Sequence, residues 1–124
     1  MASAYSQHQL DRFLAHVGLP PGLRVQDDGP KDLALLGRLH THMLSTVPYE
    51  NLTIHYSKDH TISLDPQRLF EKIVVENRGR GGYCMENSLF YTQMLRALGF
   101  RVFPVGVRIR HRIDGVPQGD YIGW

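Results

Sequence analysis

The residues best suited to chemistry stand together in Arg80-Gly81-Gly82-Tyr83-Cys84-Met85-Glu86-Asn87, which holds the only cysteine of the 124-residue chain. Two glycines lead into Cys84, and Leu89, Phe90, Met94, Leu95 and Leu98 follow at helical spacing. This places the thiol at a helix N-terminus. Unpaired backbone N–H groups and the positive end of the helix dipole favour the thiolate there, and the thiolate is the nucleophilic form. The chemistry indicated is covalent catalysis through sulfur. A cysteine without such a setting is more often a small buried hydrophobe.

The elements that must hold this stretch can be read from period and punctuation. Leu10, Phe13, Leu14 and Val17 recur at helical spacing up to Gly18, which predicts a helix over 6–17. Residues 20–29 read as a turn-rich connector, extended near Leu23 and Val25. Asp28 or Gly29 before Pro30 signals a second helix, with Leu33, Leu36, Leu39, His40, Met43 and Leu44 on its inner face. Val47-Pro48 closes it, because the residue before proline is pushed out of the α region. Residues 49–56 carry no clear period. Asp65-Pro66 caps a third helix over 66–76, with Leu69, Phe70, Ile73 and Val74 as its apolar stripe. A Gly/Arg turn over 77–82 then leads to the Cys84 helix, which Gly99 ends. Beyond it Phe103, Val105, Val107 and Ile109 alternate as a strand with one wet face. Asp114-Gly115 signals a hairpin turn, and Tyr121 to Trp124 the start of the return strand.

Composition narrows the function classes. The chain is 42% hydrophobic and 10% aromatic, as a packed domain requires. Its net charge is only +2 with the two signs interspersed, so nothing asks for a nucleic-acid partner. One cysteine closes no internal disulfide, and no membrane span or basic-then-apolar leader is visible; a cytoplasmic setting is the expectation. His40 and His42 are two apart on a helix and point to different faces, a poor metal pair. His40, on the apolar stripe, reads as a core residue. Gly79-Arg80-Gly81-Gly82 lacks the Lys-Ser/Thr of a phosphate loop and reads as a tight turn. Glu86 and Asn87 are expected to bond backbone or Arg80.

The motif Arg80-Gly81-Gly82-Tyr83-Cys84 resembles the active-site signature of the arylamine N-acetyltransferases. Val47-Pro48-Tyr49-Glu50-Asn51-Leu52 resembles a second signature of that family, with Tyr49 where phenylalanine is usual. Phe13 to Leu19, Leu39-His40-Thr41-His42, His55 after Glu50-Asn51-Leu52, and Leu98-Gly99-Phe100 with the stretch to Arg108 extend the likeness over most of the chain. Arg78-Gly79 before the motif and Met85-Glu86-Asn87 after the cysteine are most similar to fungal members.

The resemblance implies an α+β fold: an N-terminal helical bundle over 1–99 that carries the nucleophile, then over 100–124 the first strands of an incomplete antiparallel β-barrel, on a cysteine-protease-like core. It implies a ping-pong acyl transfer from acetyl-CoA, or malonyl-CoA as in some fungal relatives, to the nitrogen of an arylamine or arylhydrazine. It calls for no metal. Cys84 would take the acyl group, its backbone N–H would serve as an oxyanion donor, and Glu50 and Arg80 would pair to brace the loop.

The family's triad histidine and aspartate have no counterpart in this sequence, so the expectation is an N-terminal fragment with little or no transfer activity. His111, among Arg108, Arg110 and Arg112 with Asp114 nearby, does not match the family's base. The runner-up reading is a non-catalytic protein that keeps the scaffold without the triad. A papain-like or transglutaminase-like hydrolase is disfavoured by the paired motifs.

Overall fold

In the computed structural model, residues 2–23 and 31–122 are described. The expected extension at Val25 and the helix start at Asp28 to Pro30 lie outside them, as does the end of the return strand at Gly123 and Trp124.

Helix α1 (Gln7–His16) starts at an Ser6 cap whose hydroxyl accepts the Gln9 N–H, while the Gln9 side chain reaches back to the Ser6 N–H. It stops at Gly18, which takes φ +73°. A short 3₁₀ turn (Pro21–Leu23) follows. Helix α2 (Leu33–Thr46) is capped by Asp32, whose carboxylate accepts the Leu35 N–H at 2.8 Å, and Val47 ends it in extended backbone. Its inner face differs from expectation. Leu35, Leu39 and Met43 are buried, whereas Leu33 and Leu44 are 82% and 67% exposed and His40 faces outward. The buried stripe runs at i, i+4, i+8, and His42 sits beside it with its Nδ1 2.9 Å from the Val17 carbonyl oxygen.

Residues Leu52–Tyr56 form a short helix, α3, that periodicity did not predict, five residues being too few to show a period. Helix α4 (Pro66–Phe70) begins at the expected Asp65 cap and passes into a π turn (Glu71–Val75), where the Glu76 N–H reaches back five residues to the Glu71 carbonyl. Leu69, Phe70, Ile73 and Val74 are all buried, as their spacing requires. Helix α5 (Cys84–Ala97) buries Phe90, Met94 and Leu95 and ends before Gly99 at φ +92°.

These helices enclose one core. Phe13 meets Phe90 edge-on at 5.6 Å, and Tyr5 packs on Phe70 and Phe90 while its hydroxyl donates to the Pro66 carbonyl at 2.7 Å. Phe100 and Val102 pack against the same core.

The sheet is a two-stranded antiparallel hairpin, β1 (Ile109–Ile113) with β2 (Val116–Ile122). It turns at Asp114-Gly115, both at positive φ, as that dipeptide predicts. Register runs from Ile109↔Ile122 to Ile113↔Val116 with a shift between Arg110 and Arg112. The expected strand over 103–109 is displaced. Pairing stops at Ile109, so among the described residues no strand neighbours 103–108 to hold them extended. Nor is there one wet face: both faces of the hairpin are exposed.

Phe103, Val105, Val107, Ile109, Ile113, Val116 and Ile122 are each more than half exposed, and the hairpin's strands have open edges among the described residues. Concentration-dependent self-association is expected in sedimentation velocity, shifted toward monomer by V107K/I109K. A wild-type chain that stays monomeric at its highest soluble concentration would contradict this.

Candidate active site

Two backbone segments meet at the Cys84 helix. The Gly82 N–H donates to the Pro48 carbonyl at 3.3 Å, and the Glu50 N–H donates to the Gly82 carbonyl at 3.0 Å, a parallel bridge between Tyr49 and Gly82. The Asn87 amide ties the seam by donating to the carbonyls of Pro48 and Gly82. The glycines serve this contact and are not the turn expected of them. A Cβ on Gly81 would lie 1.9 Å from the Pro48 oxygen, and one on Gly82 would lie 2.8 Å from Glu86. The turn itself falls earlier, at Asn77 and Gly79, both at positive φ.

Cys84 is the first residue of α5, and it is exposed. Tyr83 occupies the cap position without a side-chain capping bond; its N–H donates instead to the Glu86 carboxylate at 2.7 Å. Glu86 and Asn87 thus bond to backbone, one of the two partners the sequence offered; the charge partner of Glu86 is Lys72 and not the alternative, Arg80. The ring of Tyr49 lies 5.9 Å from that of Tyr83. Desolvation first, then the neighbouring Cys84 and Tyr83, push the Tyr49 phenol above its usual range. Tyr49 thus sets a phenol beside the thiol, at the position where the family resemblance implied phenylalanine. Its only sequence signal was that exchange.

The structure brings Glu50 and Arg80 together. Arg80 Nε and Nη2 donate to Glu50 Oε1 at 3.3 and 3.1 Å, and Nη2 also donates to the Thr53 hydroxyl at 3.0 Å. Glu50 Oε2 accepts the Leu52 N–H at 2.7 Å, so one carboxylate anchors both the Arg80 loop and the start of α3. A cleft of about 470 Å³ lined by Leu52, Thr53, Tyr56, Ser57 and Arg80 opens beside this brace. Arg80→Lys keeps the charge but loses the fork, with an expected loss of about 1 kcal/mol. Arg80→Met strands the Glu50 carboxylate and is expected to cost about 2–3 kcal/mol. Denaturant melts of the two variants check the order; equal losses would contradict the fork.

The tempting base is elsewhere. His111 sits exposed on β1, and Asp114 sits in the hairpin turn. The hydrogen bonds of His42 and His60 run to the carbonyls of Val17 and Ile54, and His55 is exposed at the end of α3. Among the described residues, no group of three or more His, Cys, Asp or Glu side chains is placed to hold a metal ion. No described helix is long and apolar enough to cross a membrane.

A segment that pairs with a glycine pair, a buried carboxylate in the first helical turn and an exposed thiol at its start form one unit, and residues 32–117 match the N-acetyltransferase family. The chain belongs to the arylamine N-acetyltransferase family. It is 38% identical to the N-malonyltransferase FDB2 of Fusarium pseudograminearum (strain CS3096), over 97% of this chain and 39% of that protein. It is 38% identical to the pineal gland arylamine N-acetyltransferase isozyme NAT-3 of Gallus gallus, over 63% of this chain and 26% of that protein. With the arylamine N-acetyltransferase of Escherichia coli (strain K12) it shares 40% identity over 54% of the chain and 22% of the relative. The chain therefore spans well under half the length of these relatives. Family membership fits the arrangement of this site: the Tyr49–Gly82 seam joins the two signatures read from the sequence.

Proposed function

We propose that this chain carries the nucleophile of an acyltransferase, with Cys84 accepting an acyl group from an acyl-CoA and passing it to the nitrogen of an arylamine or arylhydrazine. The observation that carries the reading is Cys84 at the first position of α5, exposed, on a loop pinned by the Gly82–Pro48 and Glu50–Arg80 contacts. The Cys84 sulfur attacks the acyl carbon, the bond from that carbon to the CoA sulfur breaks, and the released thiolate takes up a proton. The amine nitrogen then attacks the same carbon, the bond to Cys84 breaks, and the nitrogen gives up its proton. The Cys84 N–H at the helix start is the oxyanion donor. Glu50 and Arg80 act at one remove, through the loop.

Malonyl-CoA is the favoured donor, supported by the similarity to an N-malonyltransferase along nearly the whole chain. The reading takes residues 1–99 as the helical unit and the β1–β2 hairpin as the opening of an antiparallel barrel on a cysteine-protease-like core. It holds the reaction to be slow in this chain, because no described histidine is placed against the thiol, and it sets the reaction in the cytoplasm.

Release of CoA from malonyl-CoA and acetyl-CoA, with and without imidazole as an external base, tests it. Slow release limited to one equivalent, accelerated by imidazole and faster with malonyl-CoA, is expected. Rapid turnover without imidazole would overturn the missing-base account. No release even with imidazole, from a folded protein whose thiol alkylates normally, would favour a non-catalytic scaffold.

A further inference from the structure

The site contains an ion pair that neither signature explains. Glu86 is only 2% exposed, in the first turn of α5, two residues beyond Cys84. Its Oε2 accepts the Tyr83 N–H, and its Oε1 meets Lys72 Nζ, which arrives from the π turn after α4. The carboxylate is wedged against the loop so closely that a Cβ on Gly82 would sit 2.8 Å from Oε2. A buried anion in the same helical turn as the thiol opposes thiolate formation and competes for the positive end of the helix.

We infer that Lys72 is a positioning residue for Cys84: it neutralises Glu86 and holds the carboxylate on the Tyr83 N–H, so that the helix start favours the thiolate. The inference rests on the reading of Cys84 as nucleophile. The Tyr49 phenol also lies against the thiol, with the Tyr83 ring 5.9 Å from it, and either would disfavour an anion there if ionised; Glu50 and Arg80 are paired with each other.

The test is the rate of Cys84 alkylation by iodoacetamide as a function of pH, in the wild-type chain, K72M, K72R, E86Q and K72M/E86Q. K72M is expected to react about tenfold more slowly at neutral pH, with its profile displaced to higher pH. K72R is expected to follow wild type, and E86Q to match or exceed it. K72M/E86Q should return to within about twofold of E86Q, because the charge that Lys72 offset is gone. A lysine that only packs the interface would give no such rescue. K72M reacting like wild type, or a double variant as slow as K72M, overturns the inference. Should K72M fail to fold by circular dichroism, E86Q decides alone: slower alkylation than wild type at neutral pH contradicts it. Alkylation needs no acyl donor, so the two readings fail separately. A rescued cycle on a thiol that accepts no acyl group retains the coupling and removes the nucleophile. Acylation with a flat cycle does the reverse.

Discussion

Gly81→Ala is expected to destabilise the protein by about 2–4 kcal/mol, a large share of the 5–15 kcal/mol that holds a typical domain folded. The added Cβ would lie 1.9 Å from the Pro48 carbonyl oxygen, and the obstacle is backbone, which cannot rotate aside as a side-chain tip can. To relieve the clash the two segments must part. That costs the Gly82 and Glu50 backbone bonds and the Asn87 contacts, which depend on the same carbonyls. Gly79→Ala is the control. It stands two residues earlier with open space around it but φ at +65°, so only backbone strain of about 1 kcal/mol applies. Urea melts of the two variants should therefore separate clearly, with Gly81→Ala also slowing Cys84 alkylation and Gly79→Ala leaving it near wild type. Equal and small losses would show that the Tyr49–Gly82 seam is not what fixes the loop.

The second large effect is chemical. Cys84→Ser is expected to bring acylation by malonyl-CoA or acetyl-CoA down to the uncatalysed background without a measurable loss of stability. A serine hydroxyl at this exposed helix start fits where the thiol does, so the fold has no reason to respond. The reaction does, because a hydroxyl at neutral pH is almost wholly protonated and, without an adjacent base, is a poor nucleophile. Thermal melts superimposed on wild type, together with CoA release at the no-protein rate, are the expected pair of results. Release that persists in Cys84→Ser would move the acyl acceptor to another residue.

How far the sequence carries depends on whether a feature is local. The α1, α4 and α5 boundaries follow from Ser6, Asp65-Pro66 and Gly99, each acting within a few residues, and the hairpin turn follows from Asp114-Gly115 alone. The inner face of α2 does not, since Leu33 and Leu35 are equally apolar and only the packing decides which is buried. The extent of β1 is likewise non-local: alternation at Phe103, Val105 and Val107 states a preference for a strand, and a strand needs a partner at that register.

The site divides in the same way. The thiol at a helix start is visible in the spacing around Cys84, and the Glu50–Arg80 contact is reachable through family resemblance. Lys72 is not, because its link to Glu86 spans 14 residues and depends on a π turn that no motif marks. The role of the two glycines was also hidden. A glycine pair suggests a turn, and only the path of Pro48 overhead shows that the pair is needed for close approach.

The most direct measurement of the central claim is to locate the acyl group. The intact chain is incubated with malonyl-CoA and, separately, acetyl-CoA in the presence of imidazole, then weighed whole and mapped after digestion. The account predicts one acyl group per chain, on the Cys84 peptide, cleaved by hydroxylamine as a thioester is, and missing from Cys84→Ser. An acyl group on a lysine or hydroxyl with Cys84 still free, or none at all while iodoacetamide reacts readily with Cys84, would contradict it.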